Sequence, residues 1–376
     1  MKNQKNLIRI WLTVTLISSF IQNSYGQIKH EKKAFKTISG KQISGQQLED
    51  FLIHQMDSLK IPGLSFAYVT DSGVVFNKNF GVTNLETRES VTDSSLFDAA
   101  SISKTVFSFF AMQMVDKGLL NLDIPLYTYL ENPDIAHDAW YKKITARMAL
   151  SHTTGFPNWR YLTENGYDPA GKLRIDFEPG TQYQYSGEGY QYLAQVMAHL
   201  LNADINGLQT IIKDALFKPL GMGESSFVWN DYLEKNRVMG HIQERTDPGY
   251  SANSKDPDFN AAASLQTNAL NFGNFLSALM SGKLISEKVR SKMRSVQSER
   301  LETNRRPGVK YGFGIVIEPT SEGTNYGHGG DNNSATAQFY FNDKYKSGYV
   351  FFTNMEYRRK GIFDTNLKNF LARKDE

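Results

Sequence analysis

Phe97-Asp98-Ala99-Ala100-Ser101-Ile102-Ser103-Lys104-Thr105-Val106 opens a long apolar segment that runs to about Leu120. Ser101 and Lys104 form a Ser-x-x-Lys pair, the only one in the 376-residue chain. Three residues make almost one helical turn, so hydroxyl and amine share a face within hydrogen-bonding reach. A serine is a weak nucleophile until a base takes its proton, and a lysine serves as that base when burial keeps its amine neutral. The residues that follow, Val106, Phe107, Phe109, Phe110, Met112, Met114 and Val115, leave almost no polar face. This predicts a helix buried all round, which desolvates Lys104. By background usage, roughly one such pair falls in any chain of this length, so the pair alone decides nothing.

Upstream, Gln46 to Lys60 carries Leu48, Phe51, Leu52, Met56 and Leu59 at helical spacing, ending at Pro62-Gly63. Leu64 to Val69 and Val74 to Phe80 read as strands joined by a hairpin at Asp71-Ser72-Gly73. Downstream the pattern is mostly helical, with helices expected over Tyr141 to Leu150, Gly189 to Leu201, Leu208 to Phe217 and Leu270 to Met280. Asn230 to Phe259 is polar and low in pattern and reads as a long loop. The last quarter turns strand-like over Tyr311 to Ile317, Ala335 to Phe341 and Tyr349 to Thr353, before an amphipathic helix marked by Phe363, Leu367, Phe370 and Leu371. The expected fold is α/β of the α+β type. One antiparallel sheet is built from both chain ends and flanked by the terminal helices, with a helical lobe inserted over about 100–265 and the site in the cleft between.

The first residues read as a signal peptide: basic Lys2, Lys5 and Arg9, apolar Ile10 to Phe20, then Ser24-Tyr25-Gly26, with cleavage after Gly26. The apolar run is short for a membrane span. Cleavage leaves 39 basic and 39 acidic residues, a balance that points to neither nucleic acid nor an anionic membrane. Residues 27–42 are expected as an exposed lead-in, 43–376 as the folded domain, and the destination as periplasmic or secreted. Cysteine is absent, which excludes disulfides, a thiol nucleophile and an N-terminal lipid anchor on Cys. The seven histidines show no metal-ligand spacing, so no metal or cofactor is expected.

Three further stretches carry chemistry. Pro179-Gly180-Thr181-Gln182-Tyr183-Gln184-Tyr185-Ser186-Gly187-Glu188-Gly189 runs into a helix and presents Tyr185, which reads either as a packing ring or as a proton relay beside Lys104. Tyr326-Gly327-His328-Gly329-Gly330-Asp331, placed just before a strand, reads either as a flexible turn with an exposed histidine or as a source of backbone N–H groups for an oxyanion. Leu150-Ser151-His152-Thr153-Thr154-Gly155 closes a helix, with His152 as a turn-stabilising side chain.

In this order and spacing the four stretches resemble the serine β-lactamase-like hydrolases, which include class C β-lactamases, D-alanyl-D-alanine carboxypeptidases and related esterases. Ile61-Pro62-Gly63-Leu64-Ser65, Tyr311-Gly312-Phe313-Gly314 and Phe352-Thr353-Asn354 extend the resemblance over about Gln46 to Asn354. It implies that Ser101 is acylated, that Lys104 and Tyr185 share the proton traffic, and that His328-Gly329-Gly330 is the third motif. The implied oxyanion hole joins the N–H of Ser101 to one just after that motif, at Asp331. Two departures bear on substrate. The second motif of the family reads Tyr-x-Asn, and here Gly187 stands where the amide-contacting Asn would be; the neighbouring Glu188 is expected on the solvated surface. His328 replaces the lysine that helps hold a substrate carboxylate, and an unperturbed imidazole, with a pKa of about 6.5, is mostly neutral at pH 7. Both changes favour ester or uncharged acyl substrates, with D-amino-acid peptides still open, over efficient β-lactam turnover. The alternative is a slowly acylated binding protein of the penicillin-binding type. A Ser-His-Asp enzyme of the α/β-hydrolase type lacks its Gly-x-Ser-x-Gly elbow here.

Overall fold

The computed structural model describes residues 34–163, 166–247, 258–299 and 309–372. The expected signal peptide and residues 27–33 lie outside these ranges. The chain opens with a small hairpin, β1 (Phe35–Lys36) and β2 (Gln42–Ile43), then helix α1 (Gly45–Leu59). Ser44 caps α1 in a reciprocal box: its Oγ accepts the Gln47 N–H at 3.1 Å while Gln47 Oε1 accepts the Ser44 N–H at 2.8 Å. Residues 34–42, expected as an exposed lead-in, are instead anchored. Phe35 and Ile38 are buried in the core that also holds Leu48, Leu52 and Tyr68, and Phe35 stacks on Tyr68.

The sheet joins both ends of the chain. Strands β3 (Gly63–Thr70) and β4 (Gly73–Gly81) pair with β5 (Ser298–Glu299), β6 (Lys310–Tyr311), β7 (Val316–Thr320), β8 (Gly323–Asp331), β9 (Thr336–Asn342) and β10 (Ser347–Thr353). The order is β5-β6-β7-β8-β9-β10-β3-β4, antiparallel throughout. Strands β3 and β10 are central and covered on both faces, which explains their unbroken apolar runs. Phe66, Tyr68, Tyr349 and Phe351 face α1 and the last helix, α6 (Tyr357–Ala372), in one core, while Ala67, Val69, Val350 and Phe352 face the helical lobe in the other.

The lobe holds α2 (Ser103–Asp116), α3 (Ala146–Ser151) and α4 (Gly187–Leu200), with α5 (Ala269–Ser281) returning the chain to the sheet. Every residue of α2 from Ser103 to Met114 is buried, as the absence of a polar face requires.

Several elements differ from expectation. The helix expected over Tyr141 to Leu150 is split, because Ile144 and Thr145 are extended and Thr145 caps α3. Within the expected loop Asn230 to Phe259, Asn230 caps a short helix, Asp231–Asn236, with its side chain accepting the N–H groups of Tyr232 and Leu233. The single strand expected over Tyr311 to Ile317 is broken between β6 and β7. There Gly314 adopts φ +70° so that its carbonyl can accept from Thr105 Oγ1 at 2.6 Å on α2. The Gly-His-Gly-Gly motif is not a turn before a strand but part of β8, paired with β7 and β9.

Candidate active site

Ser101 sits in a 3₁₀ turn, Ala100–Ile102, that feeds directly into α2. The turn is strained: Ala100 has φ +44°, a left-handed conformation that costs an alanine on the order of 1–3 kcal/mol. Buried Asp98 holds it in place. One carboxylate oxygen accepts the Ala100 N–H at 2.7 Å and the other accepts from Asn332 Nδ2 at 2.6 Å. Burial pushes the Asp98 carboxyl above its ordinary value, opposed by the nearby Arg237 and by these hydrogen bonds.

Lys104 follows on the first turn of α2, with Nζ 3.4 Å from Ser101 Oγ. Its amine also donates to the Ala262 carbonyl at 3.0 Å and lies 4.6 Å from the centre of the Tyr185 ring. Burial brings its pKa down to about 7. Among the described residues no ion pair opposes that shift, so the amine is near half-neutral around neutrality.

Strand β8 passes directly behind the nucleophile turn. A Cβ on Gly330 would stand 2.2 Å from the Ala99 carbonyl oxygen, so only glycine allows this approach. The strand thereby brings the third motif, at Gly330, against Ala99 and Ala100 of the turn that carries Ser101, whose own N–H lies at the open start of a helix. From the opposite side, buried Lys360 of α6 donates to the Gly330 carbonyl at 3.4 Å.

His328 is buried, not exposed in a flexible turn. Its Nδ1 faces the Gly329 carbonyl at 2.8 Å and its Nε2 faces Tyr311 Oη at 3.0 Å. His152, in the left-handed position that closes α3, is wholly buried and packs against Tyr185 with ring centres 4.3 Å apart and planes tilted by 40°. Its Nδ1 accepts the Ser186 N–H at 3.0 Å and its Nε2 lies 3.2 Å from Tyr311 Oη. The acceptors fix the tautomers. His152 carries its proton on Nε2 and gives it to Tyr311, Tyr311 donates to His328 Nε2, and His328 Nδ1–H points at Gly329. The packed imidazole and the Ser186 bond set where the Tyr185 ring stands.

Gly187 starts α4, and its surroundings are filled. Its N–H is taken by the Asn158 Oδ1 and carbonyl, both at 3.0 Å, and a Cβ there would lie 2.6 Å from Trp159 Cη2. Glu188, expected on the solvated surface, is buried in a fork with Arg160, whose Nε and Nη2 reach its two oxygens at 3.1 and 2.8 Å. An adjacent arginine makes burial of that carboxylate affordable.

Thus Ser101, Lys104, Tyr185, His328, Gly330 and Asp331 converge where β8 meets the start of α2, and Gly187 lies two residues beyond Tyr185. Sequence reading missed Tyr311 as the bridge between two histidines, and it missed Lys360. Tyr311 stood only inside a strand-like motif, and Lys360 lies on a helix with no local signal of the site.

A family described as Beta-lactamase matches residues 48–372. Among curated proteins, Protein flp of Staphylococcus aureus strain NCTC 8325 is 22% identical over 227 residues, covering 58% of this chain and 44% of its own length. The chain spans about half the length of the curated relatives it matches. Among solved structures, the octameric penicillin-binding protein homologue from Pyrococcus abyssi superposes with TM-score 0.72 at 23% identity, over 88% of this chain and 78% of that one. The hydrolase EstCE1, described as having promiscuous acyltransferase activity, gives TM-score 0.72 at 15% identity, over 88% and 99% of the two chains. The family match runs from α1 through the lobe to α6, taking in both sides of the cleft, and the chain belongs to the Beta-lactamase family.

Proposed function

We propose that the chain is a serine hydrolase that works through an acyl-enzyme on ester or amide bonds, with esters or D-amino-acid peptides preferred over efficient β-lactam turnover. The observation that carries this reading is the Ser101–Lys104 pair, a hydroxyl 3.4 Å from an amine whose pKa burial has brought to about 7. Neutral Lys104 takes the proton of Ser101 Oγ as that oxygen bonds to the substrate carbonyl carbon. The carbonyl oxygen becomes an oxyanion, held by the N–H groups of Ser101 and Asp331. Tyr185, against Lys104, passes the proton to the leaving alkoxide or amine as its bond to carbon breaks. Water then repeats the sequence on the acyl-enzyme and frees Ser101. His328, with both nitrogens engaged by protein groups, shapes the leaving-group side and holds β8 in register.

Fluorophosphonate labelling and nitrophenyl ester hydrolysis, each compared with Ser101→Ala, test the reading; equal labelling of the variant removes the nucleophile. The missing side chain at 187 favours a second reading, a slowly acylated binding protein of the penicillin-binding type. Product release over many turnovers excludes it. We place the activity in the periplasm or outside the cell, a reading supported by the basic and apolar pattern of residues 2–26; the N-terminal sequence of the mature protein tests it.

A further inference from the structure

The space left by Gly187 is held by a built element. The Asn158 carbonyl accepts the N–H groups of Gly187 and Glu188 at 3.0 and 3.2 Å, and Ser186 Oγ donates to the Pro157 carbonyl at 2.9 Å. On the other side of Trp159, the Arg160 N–H donates to Glu188 Oε1 at 2.9 Å, and the Arg160 guanidinium spans Glu188 and Asp134. Both neighbours of Trp159 are therefore tied, the Asn158 and Arg160 bonds going to the first turn of α4 and fixing the indole over residue 187. Trp159 and Tyr161 lie nearly parallel, 4° between planes and 6.1 Å between centres, and Tyr167 continues the row 5.5 Å beyond Tyr161. Trp159 and Tyr161 are half-buried and Tyr167 is exposed, so the row keeps an accessible aromatic surface. Aromatic surface ordered by backbone bonds and left partly uncovered binds flat apolar groups at small entropic cost.

We propose that Trp159, with Tyr161 behind it, forms the acyl-side specificity surface of the site and selects acyl groups that carry an aromatic ring. The indole fills the place a side chain at 187 would take, so where the resemblance implies an amide-recognising Asn, this site offers a stacking surface instead. The inference rests on the reading of Ser101 as the nucleophile. Gly187 and Trp159 are one choice: a side chain at 187 and the indole cannot occupy the same place.

The test compares nitrophenyl phenylacetate with nitrophenyl acetate, which share a leaving group, and benzylboronic with methylboronic acid, whose binding needs no turnover. Wild type is expected to favour phenylacetyl by about tenfold or more in kcat/KM and benzylboronate by a similar factor. In Trp159→Ala both ratios fall towards one. In Gly187→Asn the benzyl preference falls as well, because the new side chain displaces the indole, and the double variant Trp159→Ala/Gly187→Asn gains relative activity on an N-acetylglycyl ester. Ratios that persist in Trp159→Ala overturn the proposal, and so does loss of both esters in equal proportion. Fluorophosphonate labelling of Ser101 scores the nucleophile separately. Labelling without any benzyl preference overturns only the role of Trp159; a benzyl preference without labelling overturns only the reading of Ser101.

Discussion

The amine of Lys104 donates to the carbonyl of Ala262 at 3.0 Å, which holds it 3.4 Å from Ser101 Oγ, one turn back on the same helical run. A carbonyl orients an amine without supplying a countercharge. The lysine is thus held in place while burial is left free to lower its pKa to about 7.

The same burial makes Lys104 a stability cost with a defined pH window. Its folded value, about 7, lies below its ordinary value of 10.5. Between the two the unfolded chain binds a proton that the folded chain does not, so stability rises with pH. The cost, on the order of 5 kcal/mol, is fully present below pH 7 and fades towards 10.5. Lys104→Met is expected to unfold at a higher temperature than wild type at pH 6, with the gap narrowing by pH 9, while activity is lost at both. In wild type, kcat/KM rises with pH through about 7, because the neutral amine is the base. A gap that does not vary with pH rules out this account.

Gly330 tests the approach of β8 to the nucleophile. With 2.2 Å between an added Cβ and the Ala99 carbonyl, strand and turn must part, and the two oxyanion donors part with them. Gly330→Ala is expected to lose about 10²–10³ in kcat, the usual cost of one oxyanion donor. Circular dichroism checks that the variant remains folded, and fluorophosphonate labelling slows alongside turnover. Retention of full turnover places the oxyanion elsewhere.

The sheet, its flanking helices and the buried nucleophile helix were legible because each rests on a local pattern: the Asp71-Ser72-Gly73 turn between β3 and β4, apolar runs in β3 and β10, and the missing polar face of α2. Breaks in those patterns were not. Gly314 interrupts a strand to meet Thr105, about two hundred residues away in sequence, and no local signal records that partner. Glycines made Gly327 to Gly330 look like a turn, whereas they are there because β8 touches the Phe339 and Ala99 carbonyls on its two sides. For the site, the reacting groups announced themselves through spacing. The groups that hold them, Tyr311, His152 and Lys360, act through tertiary contacts that a single sequence does not display.

Tyr311 provides one of those contacts. Its hydroxyl is shared by His152 Nε2 and His328 Nε2 at 3.2 and 3.0 Å in a fully buried setting. Tyr311→Phe leaves two imidazole nitrogens without that partner, which is expected to cost about 1–3 kcal/mol in urea denaturation. Nitrogen NMR of labelled histidine is expected to show the Nδ1–H form for His328 and the Nε2–H form for His152 in wild type, and a mixture in the variant. Opposite tautomers in wild type reverse the direction of the relay.

Lys360 meets the oxyanion strand from behind. Its ammonium donates to the Gly330 carbonyl at 3.4 Å, and that carbonyl belongs to the same peptide unit as the Asp331 N–H. A positive charge on the oxygen of a peptide draws electron density from its nitrogen and strengthens the N–H as a donor, more so in a buried setting than in water. On the proposed mechanism Lys360 is a positioning residue, acting through the Gly330–Asp331 peptide. Lys360→Met is expected to lower kcat about threefold to thirtyfold with little change in KM, because the oxyanion exists only after attack. Affinity for a boronic acid, which presents a tetrahedral anion to the same donors, falls in step with kcat, and Lys360→Arg restores part of both. If kcat falls while boronate affinity stays at the wild-type level, Lys360 acts on the packing of α6 and not on the oxyanion peptide.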